Sequence, residues 1–204
     1  MEKKISEIKK EFETAGTEKL SELFVCYADD SRVGVSGLIK QYKRKLEKLE
    51  QERARLETMR AYERQYEHLG YVCGIDEAGR GPLAGPVVAG AVILPPDCEI
   101  LWLNDSKQLS EKKREALYDE ILQKAIAAEV GIIGPGRIDE INILQATYEA
   151  MRQAVAKLKI RPQVLLNDAV TIPGLELPQV PIIKGDAKSL SIAAASVLAK
   201  VTRD

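Results

Sequence analysis

At 204 residues and a net charge of −1, the chain is long enough for one well-formed core plus an appendage, and any polyanion-binding surface has to be local. Its three cysteines, Cys26, Cys73 and Cys98, are widely spaced with no Cys-x-x-Cys pair, which argues against structural zinc or a disulfide framework and suits a reduced, cytoplasmic protein. The single histidine, His68, lies outside any metal-ligand spacing, so Ser-His-Asp and Cys-His mechanisms are set aside and carboxylates are left to carry the chemistry.

The N-terminus, Met-Glu-Lys-Lys, has no apolar signal core, and no run reaches the roughly 18 apolar residues of a membrane span. Ile5, Ile8 and Phe12 recur at helical spacing, as do Leu20, Leu23, Phe24 and Tyr27, which predicts two short amphipathic helices separated by Ala15-Gly16-Thr17. Arg32-Val-Gly-Val-Ser-Gly37 reads as a break before a long polar helix over 38–67, striped by Leu38, Tyr42, Leu46, Leu49, Leu56, Met59, Tyr62 and Tyr66. On its other faces Lys40, Lys43, Arg44, Lys45, Lys48, Arg53, Arg55, Arg60 and Arg64 outnumber the glutamates. Two readings stand open for them: a solvated helix with i,i+4 ion pairs, or an auxiliary phosphate-binding surface. Residues 1–69 are thus expected to form a helical N-terminal extension.

From residue 70 the pattern becomes α/β. Residues 71–76 and 86–94 are β-branched runs that read as strands, the second ended by Pro95-Pro96. A loop over 97–109 contains Asn104-Asp105-Ser106-Lys107; Ser110 then stands at an N-cap position, and Leu117, Ile121 and Ala125 mark a helix. Val130 to Ile133 is a short strand, followed by a helix over 138–158 with Ile141, Leu144, Tyr148, Met151 and Val155 inward. A strand over 163–167 ends at Asn167-Asp168, and a strand near 179–184 leads to Gly185-Asp186. The alanine-rich stretch Leu190 to Val201 suits a helix packed closely on a sheet. Alternating strands and helices predict an α/β domain over 70–204.

The chemistry concentrates at 71–95, where one apolar run ends in Asp76-Glu77, a glycine-rich turn carries Arg80, and a second apolar run follows. A dinucleotide-binding loop does not fit Gly79 to Gly85, because such a loop opens a helix and here a β-branched strand follows, with Pro82 and Pro86 flanking the turn. No Gly-Lys-Ser/Thr closes a P-loop either. Side chains alternate along a strand, so Asp76 and Glu77 cannot both point inward from regular geometry, and one is expected to leave where the strand ends. Adjacent acids repel unless neutralised, and hard divalent cations such as Mg²⁺ or Mn²⁺ suit an all-oxygen ligand set. Asp168 and Asp186 also stand at strand ends, where open α/β sheets place their sites; a turn or helix-cap role remains the plainer alternative for each.

Gly74-Ile-Asp-Glu-Ala-Gly-Arg-Gly-Pro-Leu-Ala-Gly-Pro-Val-Val-Ala-Gly-Ala-Val closely resembles the signature of bacterial ribonuclease HII. So do Asn104-Asp-Ser-Lys107 with Leu109, Lys184-Gly-Asp186, and Ser191-Ile-Ala-Ala-Ala-Ser-Val-Leu-Ala-Lys-Val-Thr-Arg-Asp204, in the family's order over roughly 70–204. The resemblance implies a ribonuclease H-like α/β fold, with a mixed central β-sheet flanked by helices. It implies that Asp76, Glu77, Asp168 and Asp186 are the catalytic, metal-binding acids, with Asp204 a competing fourth acid read here as a helix-end residue. Gly79, Arg80 and Gly81 match the tripeptide that grips the ribonucleotide; ribonuclease HIII enzymes carry a different one. Ser106, Lys107 and, more weakly, Lys184 are candidate substrate contacts. Two departures stand out: Asp168-Ala169 replaces the family's Asp-Gly, and the family's later tyrosine, with the C-terminal helices around it, would lie beyond Asp204.

The activity so implied is hydrolysis of the RNA strand of RNA/DNA hybrids, and cleavage 5′ of a single ribonucleotide in duplex DNA. Two Mg²⁺ or Mn²⁺ ions would take part, leaving 3′-hydroxyl and 5′-phosphate ends. The expected partners are those nucleic acids and no membrane, and the expected state is a cytoplasmic monomer. Arg80 has two candidate roles: backbone freed by its glycine neighbours can approach a 2′-hydroxyl, or its guanidinium can pair with an acid or phosphate. The alternative reading is a shortened, catalytically impaired fragment that still binds nucleic acid.

Overall fold

A computed structural model describes residues 3–81 and 85–204; Met1 and Glu2, and Pro82, Leu83 and Ala84 of the glycine-rich turn, lie outside the described residues. The chain divides into two compact units, Met1–Ala54 and Arg55–Asp204.

In the first unit, helices α1 (Ile5–Thr14) and α2 (Thr17–Cys26) and the start of α3 (Val33–Met59) enclose Ile8, Phe12, Leu20 and Val35. The Phe12 ring lies 5.9, 6.1 and 5.1 Å from those of Phe24, Tyr27 and Tyr42, within the range of favourable aromatic pairs. Helix α3 begins at Val33, five residues earlier than its pattern indicates, and takes both Gly34 and Gly37 into its first turns. Packing overrides the helix cost of glycine, about 1 kcal/mol each. Val35 is fully buried, and a Cβ on Gly34 would come within 2.9 Å of the Ile5 side chain. Asp30 holds the approach by accepting from the Arg32 backbone N–H at 3.0 Å and from its guanidinium.

Helix α3 stops at Met59 and α4 (Ala61–Tyr66) restarts after Arg60, a buried residue whose guanidinium donates to the Cys98 carbonyl and pairs with Glu57. Tyr62 and Tyr66 pack against Val72, Val164 and Leu166.

The second unit is built on five strands in the order β3-β2-β1-β4-β5. These are β1 (Val72–Ala78), β2 (Val87–Ile93), β3 (Ala127–Ile133), β4 (Val164–Asp168) and β5 (Gln179–Ile182). Strands β1, β2 and β3 pair antiparallel, while β1–β4 and β4–β5 pair parallel, which makes the sheet mixed. Period-2 alternation splits β1 cleanly. Cys73 and Ile75 face α6 (Pro135–Lys157), which supplies Ala146, Ala150, Met151 and Ala154. The opposite face carries Gly74 and Gly90 beneath α7 (Leu190–Arg203), and α5 (Glu111–Lys124) packs Leu117 and Ile121 alongside α7. Strand β2 follows the glycine-rich turn directly, so no helix N-terminus opens there and the dinucleotide-loop reading fails on topology as well.

Two details depart from the sequence pattern. Asn142 sits at φ 66 and ψ 163 inside α6, and its side chain accepts from the backbone N–H groups of Leu144 at 3.0 Å and Gln145 at 3.1 Å, capping a new helical segment. Of the residues expected inward, Ile141, Tyr148, Met151 and Val155 pack in the core beside alanines 146, 150 and 154, while Leu144, in the first turn after the restart, is 39 % exposed.

Helices press closely on both faces of the sheet: a Cβ on Gly131 would stand 1.9 Å from the Ala150 oxygen of α6, and α7 approaches the other face almost as closely. A Cβ on Gly74 would stand 2.1 Å from the Ser191 carbonyl carbon, and one on Gly90 would stand 2.4 Å from the Ala195 oxygen. Gly74→Ala should therefore lower stability in urea by about 3 kcal/mol, because backbone rather than a pliable side chain must move. Gly136→Ala, in the first turn of α6 with open space around it, should be neutral or stabilising by up to about 1 kcal/mol. Equal effects at the two sites would contradict the packing described.

Candidate metal centre and its surrounding loops

The sheet pairing brings the acids together. Ile75 and Asn167 are the last register partners of the parallel β1–β4 pair, so Asp76 and Asp168 follow side by side. Strand β5 then ends opposite Asp168, and the Asp168 Oδ1 accepts from the Gly185 N–H at 2.7 Å, which draws in the short turn Gly185–Ala187 with Asp186 at its centre. Asp76, Asp168 and Asp186 each offer a carboxylate oxygen within 4.8 Å of the others. The turn is reached through Lys184 in the left-handed region (φ 57), with its side chain exposed.

Glu77 stands beside that cluster rather than within it. Strand β1 runs on to Ala78, so Asp76 and Glu77 leave opposite faces of a continuing strand instead of parting at a turn. Glu77 Oε1 accepts from Arg80 Nη1 at 3.1 Å, while its Oε2 is buried with no hydrogen-bond partner among the described residues. Of Arg80's two sequence-based roles, the ion pair with an acid is thus present in the fold.

The charges are under pressure. Burial raises the Asp76 pKa well above the carboxylate range, with repulsion from Glu77 and Asp168 adding to it and hydrogen bonds from the Ser196 hydroxyl and the Glu77 N–H opposing it. Glu77 is raised by burial against the pull of Arg80, with Asp168 adding repulsion and Lys107 relieving it. Asp186 is raised by burial and by Asp105 and Asp168, with Lys107 again opposing. Close oxygens, one buried and two half-buried, together with an orphaned carboxylate oxygen are what a hard divalent cation satisfies, so the donor set fits Mg²⁺ or Mn²⁺.

The loop expected to meet phosphate divides in two. Ser106 is 4 % exposed, and its hydroxyl lies 2.9 Å from that of Ser196, beneath Asp76 rather than on the surface. Lys107 is exposed, and its backbone N–H donates to Asp105 at 2.9 Å. Asp204 caps the end of α7 and pairs with Lys200 at 2.6 Å and Arg114 at 3.6 Å, outside the acid cluster. Ala169 adopts φ 55, a conformation that costs an L-residue about 1 kcal/mol and glycine nothing, which gives a physical reason for the glycine usual at this point.

Three contributors are not among the candidate site residues, although Ser196 and Arg203 lie within the Ser191–Asp204 motif. Glu63 of α4 accepts from the Ser189 hydroxyl at 2.6 Å and from the Ser191 N–H and hydroxyl at 2.9 and 2.7 Å, holding the N-terminus of α7. Ser196 reaches Asp76, and Arg203 donates from Nε to the Pro86 carbonyl at 3.0 Å. Only the tertiary fold joins them to the site.

The family model for ribonuclease HII matches residues 73–204, and that for the ribonuclease HII N-terminal domain matches 4–67. The chain belongs to the ribonuclease HII family. It is 63 % identical over 201 residues to ribonuclease HII of Lachnoclostridium phytofermentans, covering 98 % of this chain and 79 % of that one. It is 49 % identical over 205 positions to that of Clostridioides difficile, covering 100 % and 80 %. Among solved structures, ribonuclease H2 of Pyrococcus horikoshii superposes with a TM-score of 0.58 at 33 % identity, over 66 % of this chain and 72 % of the other. The fold is ribonuclease H-like and the protein is a ribonuclease H enzyme of the HII family, one that uses divalent metal ions. No helix among the described residues is long and apolar enough to cross a membrane.

An acid whose pKa rises on folding holds its proton more tightly in the folded state. Its contribution to stability is present below the ordinary carboxylate range and is lost as pH climbs through the raised value. In metal-free buffer, Asp76→Asn should gain stability over the parent progressively from mildly acidic to neutral pH. Mg²⁺ or Mn²⁺ should reverse the order by stabilising the parent, by about 2.7 kcal/mol at a hundredfold excess over Kd. Thermal melts across pH, with and without metal, check both signs.

Proposed function

We propose that this protein hydrolyses the RNA strand of RNA/DNA hybrids and cuts 5′ of single ribonucleotides in duplex DNA, leaving 3′-hydroxyl and 5′-phosphate ends. The observation that carries this reading is the convergence of Asp76 from β1, Asp168 from β4 and Asp186 from the turn after β5, beside Glu77 and the Gly79-Arg80-Gly81 turn. Asp76, on the central strand, with Glu77, Asp168 and Asp186, would hold two divalent ions. Such ions supply an acidified water and neutralise charge at the scissile phosphate.

The remaining work falls to the chain itself. The Glu77 N–H donates to Asp76 Oδ1 at 2.7 Å and so holds the carboxylate oriented, while the Ser196 hydroxyl near it eases its charge. Gly185 holds Asp168 in the same way. Lys107 and Lys184 are exposed cations that would receive backbone phosphates, while Ser106 supports the Lys107 loop from below. The backbone of Gly79-Arg80-Gly81, unhindered by side chains at its two glycines, is free to approach a 2′-hydroxyl, the group that separates RNA from DNA.

Cleavage of a duplex with one embedded ribonucleotide, in Mg²⁺ and in Mn²⁺, tests the reading, with an all-DNA duplex as control. The parent should give a single cut 5′ of the ribonucleotide, chelation should abolish it, and Asp76→Asn should reduce the rate by about a thousandfold or more. Tight binding without a cut at any metal concentration would favour a binding fragment instead.

Residues 1–69, in this reading, help hold the duplex through the exposed Lys40, Lys43, Arg44, Lys45 and Lys48 of α3. Arg55 and Arg60 do not belong to that surface, because they donate to the Leu103 and Cys98 carbonyls. Lys40→Glu combined with Lys48→Glu should weaken duplex binding and flatten its dependence on salt, by about 0.9 in the log–log slope for each phosphate no longer neutralised. An unchanged slope would remove this helix from the substrate path.

A further inference from the structure

We propose that Arg203, the last helical residue of α7, is a positioning residue for the ribose-facing turn. This role presupposes that Gly79-Arg80-Gly81 meets the ribonucleotide. The chain leaves the sheet after Ala78 and returns to it at Val87, so Gly79 and Pro86 form the neck of the turn. Arg203 occupies that neck. Its Nε donates to the Pro86 carbonyl at 3.0 Å. A Cβ on Gly79 would lie 2.5 Å from the same Nε and 3.0 Å from Cδ, and one on Gly85 would lie 3.4 Å from Nη2. Gly79 (φ 102) and Gly85 (φ 135) take backbone conformations that L side chains rarely adopt; at Gly79 the arginine and the Pro86 carbonyl, 2.6 Å from such a Cβ, fill the space a side chain would need, and at Gly85 the guanidinium stands in ordinary contact.

The neck in turn sets the position of the functional part. Arg80 lies one residue from Gly79, and its ion pair with Glu77 spans the short distance from turn to strand. Arg203 is also linked onward: Nη1 lies 4.0 Å from Asp204, whose other oxygen lies 3.6 Å from Arg114. Arg114 donates to the Leu109 carbonyl at 2.7 Å and the Ser106 carbonyl at 3.3 Å, at the base of the Lys107 loop. The end of one helix therefore ties down both loops proposed to touch substrate.

Lysine cannot replace this arginine. The bond to Pro86 comes from Nε, part-way along the side chain, where lysine carries a methylene and no donor. A lysine would keep the charge and most of the stem but leave the neck open. Because the acids are fixed by the sheet, by the Glu77 N–H and by Gly185, the loss should fall on ribonucleotide recognition and spare the hydrolytic step.

The test compares the full chain with Arg203→Lys and Arg203→Ala. Steady-state cleavage of a duplex with one ribonucleotide is measured together with binding to that duplex and to its all-DNA counterpart. KM should rise about tenfold while kcat stays within about threefold, as expected for loss of one hydrogen bond from a charged donor that acts in binding. The preference for the ribonucleotide duplex should narrow in the same proportion, and lysine should not rescue it. A Lys variant with the parent's KM and preference overturns the proposal, as does a lowered melting temperature with preference intact, which marks a purely structural role. Should the Ala variant fail to fold, the Lys variant decides. A parent that neither cuts nor prefers the ribonucleotide duplex would instead refute the reading of function on which this role depends.

Discussion

The approach of α7 to strands β1 and β2 is the constraint from which the site follows. Helix backbone can come this close to sheet backbone only where side chains vanish, and Gly74 and Gly90 remove them at the two points of closest approach. The helix answers with Ser191, Ala193, Ala194 and Ala195, all buried. Short side chains give up little conformational entropy and bury little area each, so the interface gains its stability from dispersion at high packing density. One consequence is chemical: at this distance a serine hydroxyl, the shortest polar reach available, can touch a carboxylate on the strand. Ser196 stands near Asp76 in this way and opposes the rise of its pKa.

That relief matters because the site is assembled against its own electrostatics. Three carboxylate groups converge within 4.8 Å, and burial removes the water that would otherwise screen them. The protein offsets part of the repulsion with groups of limited reach: Arg80 on Glu77, Lys107 facing Glu77 and Asp186, and the backbone N–H of Gly185 on Asp168. None of these saturates the acids, and Glu77 retains a buried oxygen with no partner among the described residues. A structure that wanted only stability would have replaced one of the acids; retaining them all leaves room for cations.

Much of this was legible in the sequence because each acid follows an apolar run whose alternation reports its own strand. Asp76, Asp168 and Asp186 could be placed at strand ends without knowing which strands pair. The order β3-β2-β1-β4-β5 that makes them neighbours is a long-range property, carried by no local pattern. The misread points share one cause, tertiary packing overriding a local rule. Gly34 and Gly37 read as helix breakers, yet a close approach to Ile5 rewards a small residue at Gly34. Leu144 belongs to the stripe that Tyr148, Met151 and Val155 bury, yet in the first turn after Asn142 it is left half-exposed. Glu63, read as one more charge on a polar helix, accepts three hydrogen bonds from the start of α7 more than a hundred residues later. Ser106 lies in a loop whose polarity suggests exposure, yet its hydroxyl points inward to Ser196.

Helix periodicity explains why one element can serve both chemistry and recognition. Ser196 and Arg203 are seven residues apart on α7, two turns, so they emerge on the same face about 10 Å from each other. Ser189, seven residues earlier, caps the helix on that register and meets Glu63. The anchored start, the hydroxyl that stands near Asp76 and the guanidinium in the neck of the glycine turn thus lie along one rigid line. Fixing the helix at its N-terminus and pressing it onto Gly74 and Gly90 determines where its far end lies, and with it the separation between the acid cluster and the turn proposed to sense the ribose. Loops hung independently on the sheet would let that separation drift; a shared helix makes it a property of the backbone, whose hydrogen bonds hold it more tightly than side-chain packing could.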